Sequence, residues 1–139
     1  MDPATARLRV WLAPVAESVD TETVARVGLG AMLVLAGGHK LLAPPVWALY
    51  VTDWLAPWLL VEPRTFVAIT GWLELLVGGL LLADRYVAPS AAVAAVSLLV
   101  TVAYFAIGVV IEGRFGKPLV RAVGVTALAL VVLLDALAD

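Results

Sequence analysis

The sequence contains no cysteine and only one histidine, His39. Without thiols the chain cannot form disulfides, dithiol redox centres, thiolate metal sites or cysteine nucleophiles. A single histidine also gives no ligand cluster for zinc or haem, so we expect no intrinsic cofactor. No glycine-rich phosphate loop follows a predicted strand, and the formal net charge of −2 argues against nucleic acid as a partner.

Charged residues are scarce as well. They make up 14% of the 139 residues, whereas 63% are hydrophobic, and the mean hydropathy is +1.05. This composition indicates an integral membrane protein. A membrane-spanning helix needs about 20 mostly apolar residues, and the chain offers four such stretches, at about 22–42, 64–83, 89–111 and 118–137. The expected fold is therefore all-α, an antiparallel four-helix bundle in one membrane domain over residues 1–139.

Two segments outside the predicted spans have distinctive compositions. Residues 1–20 carry Arg7 and Arg9 among apolar residues, which predicts a short interfacial helix, with a frayed terminus as the equal alternative. The connection between the first two spans, residues 39–64, is rich in aromatics and proline. We expect these aromatics to anchor in the headgroup region, and residues 46–56 alternatively to form a short amphipathic helix or a re-entrant segment.

An even number of spans places both termini on one side of the membrane, here called side A, and the first and third connections on the opposite side B. We expect a multi-pass protein of the cell membrane. Lysine and arginine are almost equally distributed between the two sides, so the positive-inside rule does not decide the orientation. We take the cytoplasm as the side of the termini as a working assignment.

Small and polar residues recur at helical spacing along each predicted span. In lipid such residues, rather than the most apolar ones, mark the faces where helices meet. The four stripes are Arg26, Gly30, Val34, Gly37 and Lys40; Thr70, Gly71, Glu74, Gly78 and Leu82; Ser97, Thr101, Tyr104, Gly108 and Glu112; and Arg121, Gly124, Leu128, Val132 and Asp135. We expect these four faces to meet, with the glycines permitting close contact.

Glu74 is the most unusual residue of the chain. It lies about 10 residues inside the second span, hence roughly 15 Å from side B, too deep for its carboxyl group to reach the headgroups. An ionisable group at this depth costs at least a few kcal/mol and usually marks a functional site. A structural clasp between helices is the equally weighted alternative.

We predict a polar pocket around Glu74 in the side B half of the bundle. Tyr104 reaches a similar depth and is a candidate hydrogen-bond partner, and a lysine or histidine approaches from the same side. Basic residues near helix ends can alternatively extend to the headgroups. The full set of pocket candidates is Glu74, Tyr104, Thr101, Thr70, His39, Lys40 and Arg26.

Three pieces of the sequence, taken in order, carry a resemblance. They are the arginine and glycines that open the first span at 26–30, the Gly-Gly-His-Lys ending at 37–40, and the Gly-Trp-Leu-Glu run followed by Gly-Gly at 71–79. With these, the chain resembles the DoxX family of small four-helix membrane proteins over about residues 24–137. The family's recurrent lysine and glutamate correspond to Lys40 and Glu74, and its recurrent arginine to Arg26.

The resemblance implies an association with quinone-linked respiratory chemistry, because some members are named as subunits of quinol oxidases or of thiosulfate:quinone oxidoreductase. Three classes of function remain open. The first is a non-catalytic accessory subunit of a membrane oxidoreductase, with quinone as its ligand. The second is a pathway for protons or small solutes. The third is a scaffold that binds the helices of a partner membrane protein. A homo-oligomer is compatible with each.

Overall fold

A computed structural model describes residues 1–138 as helices and short connections; Asp139, one of the side A acids, lies outside the described residues. The helices are α1 (Pro3–Ser18), α2 (Thr21–Leu42), α3 (Pro44–Ala48), α4 (Pro63–Leu82), α5 (Val87–Glu112) and α6 (Gly116–Ala138), with one 3-10 turn at Ala56–Trp58. Four of them, α2, α4, α5 and α6, are long and apolar enough to cross a membrane. The predicted all-α class and the four spans are confirmed.

The starts of the spans follow from local capping chemistry. Pro63 occupies the first position of α4, where the missing N–H costs nothing because the first helical amides lack partners. α2 is capped by Asp20, whose carboxylate accepts hydrogen bonds from the Glu22 amide at 3.2 Å and the Thr23 hydroxyl at 2.5 Å. The Thr23 hydroxyl bond holds the pKa of Asp20 below its ordinary value. α5 and α6 each begin two residues earlier than the predicted spans, at Val87 and Gly116, before Pro89 and Pro118.

Helices α2 and α4 form the closest pair in the bundle. Two glycine contacts seven residues apart join them, Gly30 with Gly78 and Gly37 with Gly71. A Cβ on Gly37 would lie 2.6 Å from the Gly71 carbonyl oxygen, and one on Gly78 would lie 2.7 Å from that of Gly30. Only residues without a side chain permit this approach. The predicted stripes of the first two spans are therefore confirmed at their glycines.

The buried faces of α5 and α6 differ from the predicted stripes. Ser97 is exposed, and a Cβ on Gly124 would meet nothing within 4 Å. The buried positions are instead Ser90, Ala91, Ala94, Ala95 and Gly108 on α5, and Ala122, Thr126, Ala129 and Val132 on α6. Alanine provides the small surface along these two helices, which pack against each other. The third stripe holds only in its second half, and the fourth holds at Leu128 and Val132, which both pack in the core.

The connection between α2 and α4 folds back over the side B end of the bundle. The Tyr104 hydroxyl of α5 donates a hydrogen bond to the Tyr50 carbonyl at 2.5 Å and accepts one from the Thr52 amide at 3.2 Å. Tyr50 also packs against Phe105 and Phe115, with ring centroids 5.8 and 5.7 Å apart. The centre of this connection therefore packs on the bundle, and anchoring of its aromatics in the headgroup region stays a prediction.

Phe115, in the turn between α5 and α6, belongs to the same aromatic cap. Its backbone is left-handed, with φ of 71°, which is uncommon for a residue with a side chain. The conformation places its ring directly on the backbone of Gly108, where a Cβ would lie 2.5 Å from a ring carbon. The absence of a side chain at Gly108 thus provides the space that the Phe115 ring occupies.

The N-terminal segment is a helix, as the interfacial interpretation requires. α1 starts at an Asp2 cap and buries no residue against the rest of the chain. Its large apolar side chains Leu8, Trp11, Leu12 and Val15 are all exposed and recur at i, i+3, i+4 and i+7. A one-sided apolar helix of this kind suits a membrane surface. Its location at the interface stays a prediction.

Candidate functional site: a lysine–glutamate pair between two spans

The centre of the candidate site is an ion pair between α2 and α4. The Lys40 ammonium nitrogen lies 2.5 Å from Glu74 Oε1. The glycine contacts place the two residues opposite each other: a Cβ on Gly37 would lie 3.0 Å from Glu74 Cβ, and one on Gly71 would lie 3.1 Å from Lys40 Cβ. The close approach of the two helices therefore brings the lysine to the glutamate.

Both side chains of the ion pair are largely buried. They are 14% exposed for Lys40 and 22% for Glu74. Ionisable groups in the hydrocarbon core of a membrane face protein, a ligand or a water-filled cavity, because lipid cannot solvate them. An unpaired charge there would be very costly, so each residue stabilises the other. Lys40 thus turns into the bundle instead of extending to the headgroups.

The second oxygen of the carboxylate is not bonded. Glu74 Oε2 is buried, and among residues 1–138 no donor reaches it. Buried polar atoms without a partner are rare, and each one calls for an explanation, such as a bound molecule that supplies the missing hydrogen bond. A carboxylate oxygen in this state can accept a bond from a hydroxyl or amine group.

Two residues near the end of α2 and in α3 cover the lysine. The Lys40 ammonium lies 5.0 Å from the centroid of the Trp47 ring, within range of a cation–π interaction. The Trp47 indole N–H donates to His39 Nδ1 at 2.7 Å, so the histidine is held as an acceptor on that nitrogen. His39 itself is exposed at the side B end. Trp47, which we expected to be a headgroup anchor, is a neighbour of the ion pair.

The remaining candidates on α4 and α5 direct their hydroxyls elsewhere. Thr70 donates to the Val67 carbonyl at 2.9 Å, and Thr101 donates to the Ser97 carbonyl at 2.9 Å, each within its own helix. Tyr104 bonds to the connection between α2 and α4, as described above, and not to Glu74. Of the seven predicted residues, the structure joins Lys40 to Glu74 and connects His39 to Lys40 through Trp47.

Trp54 is a further polar residue of this end that the sequence did not single out. Its ring packs on Tyr104 with centroids 5.2 Å apart, and its indole N–H is buried without a partner among the described residues. In the sequence it is one of several tryptophans in an aromatic-rich connection, and no local pattern distinguishes it.

Arg26 lies at the opposite end of the bundle from Glu74. It is buried, its Nη1 donates to the Leu81 carbonyl at 2.5 Å, and its Nε lies 3.3 Å from Asp84 Oδ1. The Leu81 carbonyl belongs to the last turn of α4, whose carbonyls have no partners within the helix. Arg26 therefore fastens the start of α2 to the end of α4, and we assign it a structural role.

Replacement of Arg26 tests this structural role. We expect Arg26→Gln to lower the free energy of unfolding by about 1.5–3 kcal/mol, the typical contribution of a hydrogen bond to a charged group. The Leu81 carbonyl keeps its hydrogen bond from the Asp84 amide at 3.2 Å, so the loss is that of the guanidinium contacts alone. Unfolding in mixed micelles, followed by circular dichroism, measures the change. Arg121→Gln is the control, because Arg121 is exposed on α6; equal losses in both variants would contradict the assignment.

Metal binding finds no support in the described part of the chain, where no group of three or more histidine or acidic side chains is placed to hold an ion. Two shallow surface depressions, of about 260 and 400 Å³, lie away from the ion pair, along α1 and on the outer face of α5. The pair is a packed contact at the flank of α2 and α4.

These features define a multi-pass helical membrane protein with a lysine–glutamate pair buried between two of its spans. The sequence model of the DoxX family matches residues 22–107, which is more than half of the chain and includes both members of the pair. The chain therefore belongs to the DoxX family. Neither a curated protein nor a solved structure gives a significant match.

Proposed function

We propose that the protein is an accessory subunit of a membrane oxidoreductase and holds a quinone-class headgroup at the Lys40–Glu74 pair. The observation that carries the proposal is the buried Glu74 Oε2, which has no bonding partner among the described residues. A ligand that reaches this atom must be soluble in lipid and must carry a polar group. Quinones and their reduced forms have both properties.

The residues present decide which steps this proposal assigns to this chain and which to a partner subunit. Oxidation of a hydroquinone releases two protons and two electrons. In this proposal Glu74 accepts one of the two protons from a bound hydroxyl, Lys40 balances the negative charge of the carboxylate before that transfer, and the second proton leaves to the partner subunit with the electrons. The electrons pass to a redox group in a partner subunit, which supplies the electron-transfer chemistry. This chain then contributes binding, orientation and proton exchange.

Access from the membrane is consistent with the position of the pair. The carboxylate lies at the flank of two spans, with about a fifth of its side chain uncovered by protein. Oε2 itself is buried, so in this proposal the ligand displaces neighbouring side chains to reach it. A quinone that diffuses in the bilayer can approach this flank without crossing the headgroup region. Leu73, which directly precedes Glu74 on α4, is exposed and offers apolar surface beside this flank.

Purification in native lipid discs tests the proposal directly. We expect wild-type protein, expressed in a host that makes ubiquinone or menaquinone, to retain quinone that mass spectrometry detects. Oxidised and reduced forms are counted together, and Glu74→Gln should reduce the retained total by at least about tenfold, because the hydrogen bond from a hydroxyl of the reduced form to the charged carboxylate is lost. The matched control is Glu112→Gln, because Glu112 pairs with Arg114 at 3.3 Å at the end of α5.

The outcomes separate the alternatives left open by the sequence. Equal quinone contents in wild type, Glu74→Gln and Glu112→Gln would contradict the proposal. A stoichiometric protein partner recovered without quinone would favour a scaffold. Proton flux through the purified protein in liposomes, abolished by Glu74→Gln, would favour a proton pathway, for which an intramembrane carboxylate is also an expected feature.

A further inference from the structure

From the bonding state of the Glu74 carboxylate, and resting on the proposed function, we infer that the site prefers the reduced, hydroxyl-bearing form of its ligand: it binds a hydroquinone more tightly than the corresponding quinone.

The preference for the hydroquinone follows from which hydrogen-bonding group of the site lacks a partner, a donor or an acceptor. Lys40 occupies Oε1, and Oε2 is buried without a donor. A carboxylate that balances an ammonium group is an acceptor at both oxygens. The carbonyl oxygens of a quinone are acceptors too, so a quinone would leave Oε2 unsatisfied and bring two negatively polarised oxygens together. A hydroquinone hydroxyl donates, and a hydrogen bond to a charged acceptor is among the strong ones.

Lys40 is the competing donor, since an ammonium could in principle bind a quinone carbonyl. Its position argues against this role. The ammonium is held between Glu74 Oε1 on one side and the ring of Trp47 on the other. That ring is fixed in turn by its bond to His39. The Lys40 side chain is also the less exposed member of the pair. The vacant polar position is therefore the acceptor, Oε2.

Discrimination by an unpaired polar group can be large. A site built to hydrogen-bond a substrate hydroxyl rejects the analogue without it strongly, because a buried polar group of the protein is then left without a partner. We expect hydroquinone to bind at least about tenfold more tightly than quinone, the effect of one charged hydrogen bond. By thermodynamic linkage, the bound couple then has a higher reduction potential than the couple free in the membrane.

The test uses three probes that share one ring and one tail: decylubiquinone, decylubiquinol and the dimethyl ether of decylubiquinol. The ether keeps the ring of the reduced form and lacks hydroxyl donors. Each is equilibrated without oxygen with wild-type protein in lipid discs, and bound probe is quantified by mass spectrometry against empty discs. We expect the quinol to bind at least about tenfold more tightly than both other probes.

The Glu74→Gln variant completes the test. Its amide can donate as well as accept, so the preference for the quinol should disappear. Equal or tighter binding of the quinone by wild type would overturn the inference and leave the proposed function intact. A quinol preference that persists in Glu74→Gln, or one shared by the ether, would also overturn it. If none of the probes binds wild type above empty discs, the proposed function fails as well.

Discussion

Gly37→Ala is expected to destabilise the bundle by about 3 kcal/mol and to loosen the Lys40–Glu74 contact. The added Cβ would lie 2.6 Å from the Gly71 carbonyl oxygen and 3.0 Å from Glu74 Cβ. The first of these neighbours is backbone, so it cannot rotate away, and α2 and α4 must separate. Overpacking of a well-packed contact typically costs about 1–3 kcal/mol, and a clash with backbone lies at the upper end of this range.

The chain provides a matched control at the next residue. Gly38 has nothing within 4 Å of its Cβ position, so Gly38→Ala adds the same methyl group without a clash. Gly78→Ala and Gly79→Ala form a second pair of the same design, because only Gly78 faces a backbone oxygen, at 2.7 Å. The free energy of unfolding, measured by steric trapping in lipid bicelles, should fall for Gly37→Ala and Gly78→Ala only. Equal effects within either pair would refute the close approach of α2 and α4.

The glycine contacts also explain why the pairing of α2 with α4 could be read from the sequence. In a membrane, apolar residues do not distinguish the protein interior from lipid, so small residues at i, i+4 and i+7 are the main signal of a helix contact. Gly30 and Gly37 on α2, and Gly71 and Gly78 on α4, repeat at the same spacing of seven residues and so form a visible pattern. The depth of Glu74 followed from its position in the span alone.

The same reasoning was misleading for α5 and α6, because alanine is abundant there. Ala91, Ala94 and Ala95 form the buried face of α5, yet nearby alanines such as Ala92 and Ala103 are not buried, so alanine spacing alone does not indicate a face. Following Ser97 and Gly124 as rarer small residues led to the wrong stripe. Hydropathy gives no help, since α5 is apolar on all sides.

The partners of Tyr104 could not be predicted for a different reason. They are backbone groups of Tyr50 and Thr52, which become available only when the connection between α2 and α4 folds over the bundle. Nearly every residue type has the same backbone N–H and carbonyl groups, so no sequence pattern predicts which of them will bond to Tyr104. For Glu74 the sequence narrows the partner to Lys40, His39 or Tyr104 and does not choose among them, because all three lie within reach from side B.

Removal of Lys40 alone is expected to cause the second large loss in the free energy of unfolding. Lys40→Met deletes the ammonium and leaves Glu74 buried without a counter-charge, which typically costs about 3–5 kcal/mol. Methionine has a similar length and no charge, so the volume beside Gly71 and Trp47 is roughly preserved. We expect a corresponding loss in the free energy of unfolding, measured by steric trapping, with the helical content unchanged at low temperature. Lys117→Met is the control, because Lys117 is exposed at the start of α6.

The double variant Lys40→Met/Glu74→Leu distinguishes a binding site from a structural clasp. Replacing both members of a buried ion pair by apolar residues of similar volume is often neutral or stabilising, so we expect the free energy of unfolding to return to within about 1 kcal/mol of wild type. Quinone retention, in contrast, should remain at the level of Glu74→Gln, because the acceptor is gone. A stable bundle that no longer holds quinone means that the pair is present for binding, since an apolar contact joins the helices equally well. If the double variant recovers both stability and quinone retention, Glu74 does not bind the ligand; if it recovers neither, the pair is a clasp that apolar side chains cannot replace.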